Sequence, residues 1–166
     1  MRLFFALWPP PDAARALAQW AGDAQRVTGG RAIDAAKIHL TLAFLGDADP
    51  RKAIAAARRA IAFSHELPIE EAGYWRANGI VWTGPRETPP ALKVVVDRLS
   101  MELQKENFTL ERRPFAAHVT LIRKARAGGS LPPLPEVAWS VGEFVLVRSS
   151  LSAKGASYEV LERFRL

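Results

Sequence analysis

The chain has 166 residues, with no cysteine and only three histidines. Without thiols it can form neither disulfides nor thiolate metal ligands, and such a composition is typical of the reducing cytoplasm. The sequence lacks a run of 18 apolar residues, which excludes a membrane-spanning helix. The apolar stretch 2–8 is short and ends at Pro9-Pro10-Pro11, so we interpret it as a first strand and not as a signal peptide.

Several common catalytic patterns are absent as well. Thr28-Gly29-Gly30 and Gly128-Gly129 lack the surrounding residues of a phosphate loop or a dinucleotide fingerprint. A Gly-x-Ser-x-Gly nucleophile elbow is also missing. Zinc needs three or four ligands, and the histidines have no carboxylates at ligand spacing. We therefore expect neither a metal nor a cofactor.

The most informative feature that is present is a repeated pattern. His39-Leu40-Thr41-Leu42 matches His118-Val119-Thr120-Leu121, whereas the third histidine, His65, has no threonine two residues later. We interpret His65 as a surface residue near a helix end. Residues i and i+2 of a strand share one face, so each copy presents an imidazole beside a hydroxyl.

Basic residues concentrate around both copies. The formal net charge is +6, which favours a polyanionic partner, although many basic proteins bind no anion specifically. Arg31 and Lys37 precede the first copy, and Arg112, Arg113 and 123–126 flank the second. This placement favours a ligand that carries phosphate.

The chain reads as a duplicated unit of strand, helix and motif strand. Apolar periodicity and the Gly, Pro and Asp signals predict the following elements of the first unit: strand 2–8, helix 12–27, strand 38–45 ended by Gly46, and helix 50–64 with Asp49 as cap and Ile54, Ala57 and Ile61 on one face. The second unit is predicted to comprise strands 67–76 and 79–84, helix 89–107 with Thr88 as cap and Leu92, Val95, Val96, Leu99 and Leu103 facing inward, and strand 116–122.

The remaining segment is predicted to hold strands near 138–148 and 157–165, joined by a hairpin turn at 152–157. The loop 127–135 before them is either a plain connection or a mobile lid. We expect an α+β fold in which residues 1–166 form a single bilobal domain. Two pseudo-twofold-related lobes of mainly antiparallel sheet would carry helices on the outside, and the two motifs would face each other across a cleft between the lobes.

Two imidazoles held together fit acid–base chemistry on a phosphodiester. One neutral imidazole deprotonates the attacking group while the other, as imidazolium, protonates the leaving oxygen. Threonine hydroxyls and a guanidinium can bind the nonbridging oxygens, and the planar fork of Arg123 suits that position. A single histidine of this kind is usually structural, so the duplication and the basic flanks are what favour catalysis.

The two copies extend to His39-x-Thr41-x-x-Phe44 and His118-x-Thr120-x-x-Arg123. This pair resembles the two-histidine phosphoesterase superfamily, and within it the bacterial and archaeal RNA 2′,3′-cyclic phosphodiesterases, historically called 2′-5′ RNA ligases. Arg2-Leu3-Phe4-Phe5-Ala6 and Phe44-Leu45-Gly46 also resemble that group, and the likeness covers the whole chain. Many members have proline before the second histidine, where this chain has Ala117.

The resemblance implies that His39 is the general acid toward the ribose O3′ and that His118 is the general base for water. It further implies phosphate binding by Thr41, Thr120 and Arg123, and stacking of the terminal base on Phe44. Phe44 and Arg123 lie at the odd offset +5 from their histidines, so both strands must end, twist or bulge after the threonine.

Other residues have open interpretations. Arg112, Arg113 and Lys124 are candidate contacts to the RNA backbone, although the two arginines equally suit a solvated turn. Aromatic residues usually fill cores, so we expect Phe5, Trp8 and Phe115 to be core residues and not base-stacking surface.

The expected function is metal-independent hydrolysis of RNA 2′,3′-cyclic phosphate ends to 2′-phosphate ends, by a monomeric cytoplasmic enzyme without an obligate protein partner. Run backwards, the same chemistry is ATP-independent 2′-5′ RNA ligation. The alternatives are a phosphodiesterase for small cyclic nucleotides or ADP-ribose cyclic phosphate, and a noncatalytic protein that binds RNA ends.

Overall fold

The computed structural model describes all 166 residues. Its ten strands are β1 (Arg2–Leu7), β2 (Arg31–Ala32), β3 (Leu40–Asp47), β4 (His65–Glu66), β5 (Glu71–Trp75), β6 (Ile80–Gly84), β7 (Val119–Arg123), β8 (Ser140–Val141), β9 (Glu143–Ser152) and β10 (Gly155–Arg165). Its helices are α1 (Pro11–Thr28), α2 (Pro50–Arg59), α3 (Pro90–Lys105) and a 3₁₀ helix (Ala35–Lys37). No helix is both long enough and apolar enough to cross a membrane.

Eight strands form one sheet in the order β10-β9-β1-β3-β7-β6-β5, with β2 paired to β7, while β4 and β8 pair separately. Every strand pair is antiparallel. The first half of the sheet, β10-β9-β1-β3, meets the second at β3 and β7 through the single residue pair Leu40–Val119. The two motif strands are therefore neighbours at the centre of the sheet.

The helices cover one face of this sheet. Alternate residues of β1, Leu3, Phe5 and Leu7, join the apolar faces of all three α-helices in one core of 33 buried residues. The opposite face of the first half has a small cluster of Phe4, Ala6, Val145 and Val147. Because side chains alternate along a strand, this second face is the one that remains free to carry a site.

The predicted α+β class with a mainly antiparallel sheet is confirmed. The two motif strands are neighbours in one continuous sheet and do not face each other across a cleft, and the helices lie on one side of that sheet. The single bilobal domain stays a prediction. Leu92, Val95, Val96, Leu99 and Leu103 face inward from α3 as predicted. The hairpin turn between β9 and β10 is also present.

Two predicted helix boundaries are wrong. Helix 50–64 ends at Arg59, and Ile61 is consequently 72% exposed instead of facing the core. Asp49 does cap this helix, since its carboxylate accepts a hydrogen bond from the Arg51 N–H at 2.9 Å. Thr88 is not the cap of α3, because the helix starts one residue later, with Pro89 in the cap position.

Strand boundaries differ from prediction mainly where the backbone turns. Gly46 lies inside β3 with φ of 68° and does not end the strand. Strand 67–76 contracts to β5, and strand 138–148 divides into β8 and a longer β9. His65 lies on β4 and not near a helix end. Residues 127–135 contain neither helix nor strand.

Candidate active site

The central pair Leu40–Val119 places the two motifs side by side. Both residues are fully buried and point into the core beneath the helices. Side chains alternate along strands and paired residues share a face, so the flanking motif residues point to the other face. These flanking residues are His39, Thr41, His118 and Thr120. The two histidines directly precede β3 and β7 and do not lie within the strands as predicted.

Each motif imidazole is anchored through the same ring nitrogen. Nδ1 of His39 donates to the carbonyl of Lys37 at 2.8 Å. Nδ1 of His118 donates to the carbonyl of Ala116 at 2.9 Å. A carbonyl only accepts hydrogen bonds, so the neutral ring carries its proton on Nδ1 and keeps the lone pair of Nε2 available. Both histidines are thereby prepared to exchange a proton at Nε2.

Aromatic rings surround His39 on several sides. Trp8 stacks on the imidazole with 4.8 Å between centroids and 13° between planes, and its indole N–H donates to the carbonyl of Ala36. Phe4 lies at 5.1 Å, and Tyr158 meets the imidazole edge-on at 5.3 Å. Trp8 is therefore a neighbour of the motif and not the core residue that we expected. A sequence signal existed, because alternation puts Trp8 on the same face as Phe4.

This enclosure changes the acidity of His39. Burial disfavours the charged imidazolium and is the main reason that the pKa of His39 lies below its ordinary value. The hydrogen bond to Lys37 opposes that shift, and electrostatic interactions with Arg123 and His118 add to it. The effect of Arg123 and His118 on His39 shows that the two copies act on one another electrostatically.

His118 has a more open setting. Its hydrogen bond to Ala116 is exposed, and one ring, Trp75, contacts it edge-on at 4.7 Å. The segment before it packs closely on β6, because a Cβ on Gly84 would lie 2.7 Å from the carbonyl oxygen of Ala117. This close approach restrains the backbone at Ala117 without a proline.

A tryptophan also borders the second threonine. Trp82 of β6 pairs with Thr120 and therefore points to the same face. Its indole lies over Gly73 of β5, where a Cβ would come within 2.5 Å of the ring. Trp75 contacts Trp82 at 5.3 Å. Sequence reasoning missed both tryptophans, because no motif or spacing links them to the histidines.

Both motif strands have a bulge at the position that the offset of +5 requires. In β3, Thr41 pairs with Ala6 and Ala43 with Phe5, which leaves Leu42 as the extra residue. In β7, Thr120 and Ile122 pair with consecutive residues of β6, which leaves Leu121 extra. One extra residue reverses the alternation that follows it. The predicted irregularity is thus present at equivalent positions of the two copies.

The bulges bring Phe44 and Arg123 to the face of the histidines. Phe44 is 66% exposed and pairs with Phe4, whose ring is 6.0 Å away and itself contacts His39. Arg123 is exposed and contributes to the lowered pKa of His39. An open aromatic surface and a guanidinium therefore border the same pair of imidazoles.

The three residues predicted to contact the RNA backbone have no described contact with the two histidines. Lys124 follows β7 directly and is exposed, with φ of 57°. Arg112 and Arg113 lie in the irregular segment 106–118, and Arg113 forms an ion pair with Glu111 at 2.7 Å. Phe5 is fully buried, in agreement with its prediction as a core residue.

Phe115 is partly buried and packs against the main core, as predicted. The site as a whole contains two imidazole rings anchored through Nδ1, two hydroxyls, a guanidinium and an exposed ring. This set is suited to general acid–base catalysis at a phosphate next to a nucleobase.

Comparison with known proteins relates the chain to phosphoesterases. Residues 7–82 match the sequence model of a protein family described as LigT-like phosphoesterase. A curated relative from Escherichia coli strain K12, named RNA 2′,3′-cyclic phosphodiesterase, is 34% identical to this chain. The aligned region covers 99% of this chain and 96% of the relative. The chain belongs to the LigT-like phosphoesterase family.

Other members extend this relation over both motifs. A protein of the same name from Thermus thermophilus is 32% identical, and the match covers 100% of this chain and 90% of the relative. The structure of E. coli LigT complexed with 3′-AMP has a TM-score of 0.91 and 31% identity, and covers 99% and 97% of the two chains. The family fold therefore spans the whole chain, beyond the 7–82 segment.

Proposed function

We propose that this LigT-like phosphoesterase hydrolyses RNA 2′,3′-cyclic phosphate ends to 2′-phosphate ends without a metal. The observation that carries the proposal is the meeting of two Nδ1-anchored imidazoles, two threonines and Arg123 on one face of the sheet. The names of the full-length relatives, RNA 2′,3′-cyclic phosphodiesterase, support the substrate.

In the proposed reaction, Nε2 of His118 removes a proton from water, whose oxygen then forms a bond to phosphorus. The bond between phosphorus and O3′ breaks, and Nε2 of His39 supplies the proton that the leaving oxygen needs. The product carries a 2′-phosphate and a free 3′-hydroxyl. Thr41 and Thr120 donate hydrogen bonds to the nonbridging oxygens, and Arg123 offsets the charge that builds on them.

The acid role of His39 requires it to be protonated when substrate is bound. Its pKa is lowered by burial and by electrostatic interactions with Arg123 and His118. A bound phosphate places negative charge beside these groups and favours the imidazolium. Substrate binding therefore raises the pKa of His39 and couples its protonation to the presence of the group that it will protonate.

The substrate class follows from the surroundings of the histidines. Phe44 offers an exposed ring beside His39, and stacking on an aromatic ring suits a terminal nucleobase of any sequence. Lys124, Arg112 and Arg113 are proposed as contacts to the RNA backbone. Of these, Arg113 must leave its ion pair with Glu111 to bind a phosphate.

The same groups can also join RNA ends when an RNA 5′-hydroxyl, and not water, attacks the cyclic phosphate. The 5′-oxygen then forms a bond to phosphorus while the bond to O3′ breaks, with His118 as the base and His39 as the acid. The product is a 2′-5′ linkage, and opening of the cyclic phosphate supplies the free energy. We propose that the protein acts as a cytoplasmic monomer without an obligate partner. The small cyclic phosphates and the noncatalytic role are not favoured by the relatives, which bear the name of an RNA enzyme.

The test is the incubation of an RNA oligonucleotide ending in a 2′,3′-cyclic phosphate with the protein and EDTA, followed by end-group analysis. We expect complete conversion to a 2′-phosphate. A 3′-phosphate product would contradict the proposed direction of opening. Tight binding without conversion at any pH between 5 and 9 would establish the noncatalytic alternative.

A further inference from the structure

Two arginines face each other across the β2–β7 pair. Arg31 of β2 is the direct partner of Arg123 of β7. Directly paired residues of an antiparallel ladder hold their Cβ atoms about 4.5–5.5 Å apart on the same face. Arg31 is exposed like Arg123, so the two side chains leave the sheet from adjacent positions on one face at the edge of the site.

This pairing disfavours folding. Like charges opposite each other on a ladder are destabilising, and neither arginine belongs to any of the ten ion pairs of the structure. Neither arginine therefore has a carboxylate at ion-pair distance. A negatively charged ligand with more than one phosphate would offset the repulsion.

The backbone around this pair is closely fitted. A Cβ on Gly30 would lie 2.5 Å from the carbonyl oxygen of Arg123, so only glycine permits this approach of the chain before β2. The N–H of Ala125 donates to the carbonyl of Gly79, and that of Arg126 donates to the carbonyl of Thr28, at 2.9 and 2.8 Å. These contacts hold the end of β7 in place, so the two arginines project from a rigid framework.

The bulge at Leu121 determines which face this pair occupies. It turns Arg123 to the face of the histidines, and Arg31 shares that face as its ladder partner. Arg31 therefore lies directly across the β2–β7 ladder from Arg123, the residue assigned to the reacting phosphate.

We propose that Arg31 binds a second phosphate of the RNA chain, the one that links the terminal nucleotide to the next. Arg123 holds the cyclic phosphate while Arg31 holds its neighbour, so the pair distinguishes an oligonucleotide from a mononucleotide. The inference rests on the proposed function and extends it by a determinant of substrate length.

The experiment compares kcat/KM of wild type and Arg31→Met on two substrates, a mononucleotide 2′,3′-cyclic phosphate and an oligonucleotide with the same end. We expect the ratio of oligonucleotide to mononucleotide activity to fall about tenfold, as for the loss of one charge-assisted hydrogen bond. The slope of log kcat/KM against log salt for the oligonucleotide should decrease by about 0.7, because one fewer phosphate is neutralised.

Lys93→Met is the matched charge control. Lys93 is exposed on α3, which packs against the opposite face of the sheet. Its removal should leave the ratio unaltered. If Arg31→Met leaves the ratio of oligonucleotide to mononucleotide activity unchanged, whether or not both activities fall, the proposal is overturned.

Binding separates this inference from the proposed function. If wild type hydrolyses neither substrate, the proposed function fails. Fluorescence anisotropy with an oligonucleotide that ends in a 2′-phosphate then still tests Arg31. Weaker binding by Arg31→Met than by Lys93→Met supports the second-phosphate contact, and equal binding by the two variants refutes it.

Discussion

The two copies of the motif share one local geometry but have different surroundings. Both imidazoles donate from Nδ1 to the carbonyl two residues before them, and both strands bulge after the threonine. His39 is enclosed by Trp8, Phe4 and Tyr158, whereas His118 has a more open hydrogen bond and a single ring contact. The repeated residues therefore orient the imidazole in the same way in both copies, and the elements around them give the two histidines different surroundings.

The largest effect is expected from removing either imidazole. His39→Ala and His118→Ala should each lower kcat by about 10²–10⁴, because each removes one proton-transfer partner. Rates on a cyclic-phosphate oligonucleotide measure the loss. His65→Ala, which removes the histidine outside the site, is the control, and full activity in either motif variant would contradict the paired roles.

The second-largest effect is expected from removing the guanidinium of Arg123. Arg123→Met should lower kcat/KM about 10²-fold through lost stabilisation of phosphate charge. It should also raise the pKa of His39 in the free protein, since the positive charge of Arg123 contributes to lowering it. NMR titration of the imidazole measures the shift. An unchanged pKa would show that Arg123 does not influence His39, and a lower pKa would contradict the expected sign of its effect.

Replacement of Phe44, which follows the bulge at Leu42, should have a smaller effect, mainly on substrate binding. Phe44→Ala should raise KM about tenfold through the loss of base stacking. Phe63→Ala is the matched control, because Phe63 is similarly exposed, at 58% against 66%, and contacts Arg98 of α3. Equal effects of the two variants would exclude a specific stacking role for Phe44.

The enclosure of His39 can be opened selectively. Trp8→Ala should raise the pKa of His39, because burial is the main cause of the lowered value. Trp8→Phe should restore much of the shift. Trp75→Ala, which exposes His118 instead, serves as the comparison in the same NMR titration. If the pKa of His39 rises as much in Trp75→Ala as in Trp8→Ala, the two surroundings are not independent.

The smallest effect concerns stability. The pKa of His39 is lower in the folded protein than the ordinary value of about 6.5. The unfolded chain therefore binds this proton first as pH falls, and the free energy of unfolding should decrease below pH 6.5. Urea denaturation at pH 7.5 and 5 measures this decrease, which should be smaller in His39→Gln. An equal decrease of the free energy of unfolding in wild type and His39→Gln would refute the contribution of His39.

Periodicity predicted most elements of the fold, because apolar residues at helical or alternating spacing have to reach a core. It failed at Ile61, where an apolar residue continues the helical spacing beyond the end of α2. It also placed both motif histidines inside strands, whereas β3 begins at Leu40 and β7 at Val119, the two residues that pair with each other. Such features depend on pairing with a neighbouring strand, which local sequence does not reveal.

The sequence by itself determined that each of two His-x-Thr copies presents an imidazole beside a hydroxyl, because residues i and i+2 of a strand share one face. It also required a bulge, since an offset of +5 otherwise turns Phe44 and Arg123 away. Tertiary structure alone decided that the copies meet at Leu40–Val119, that Trp8 and Tyr158 enclose one histidine, and that Arg31 stands beside Arg123. These are contacts between residues far apart in the chain, and only the pairing and packing of the strands bring them together.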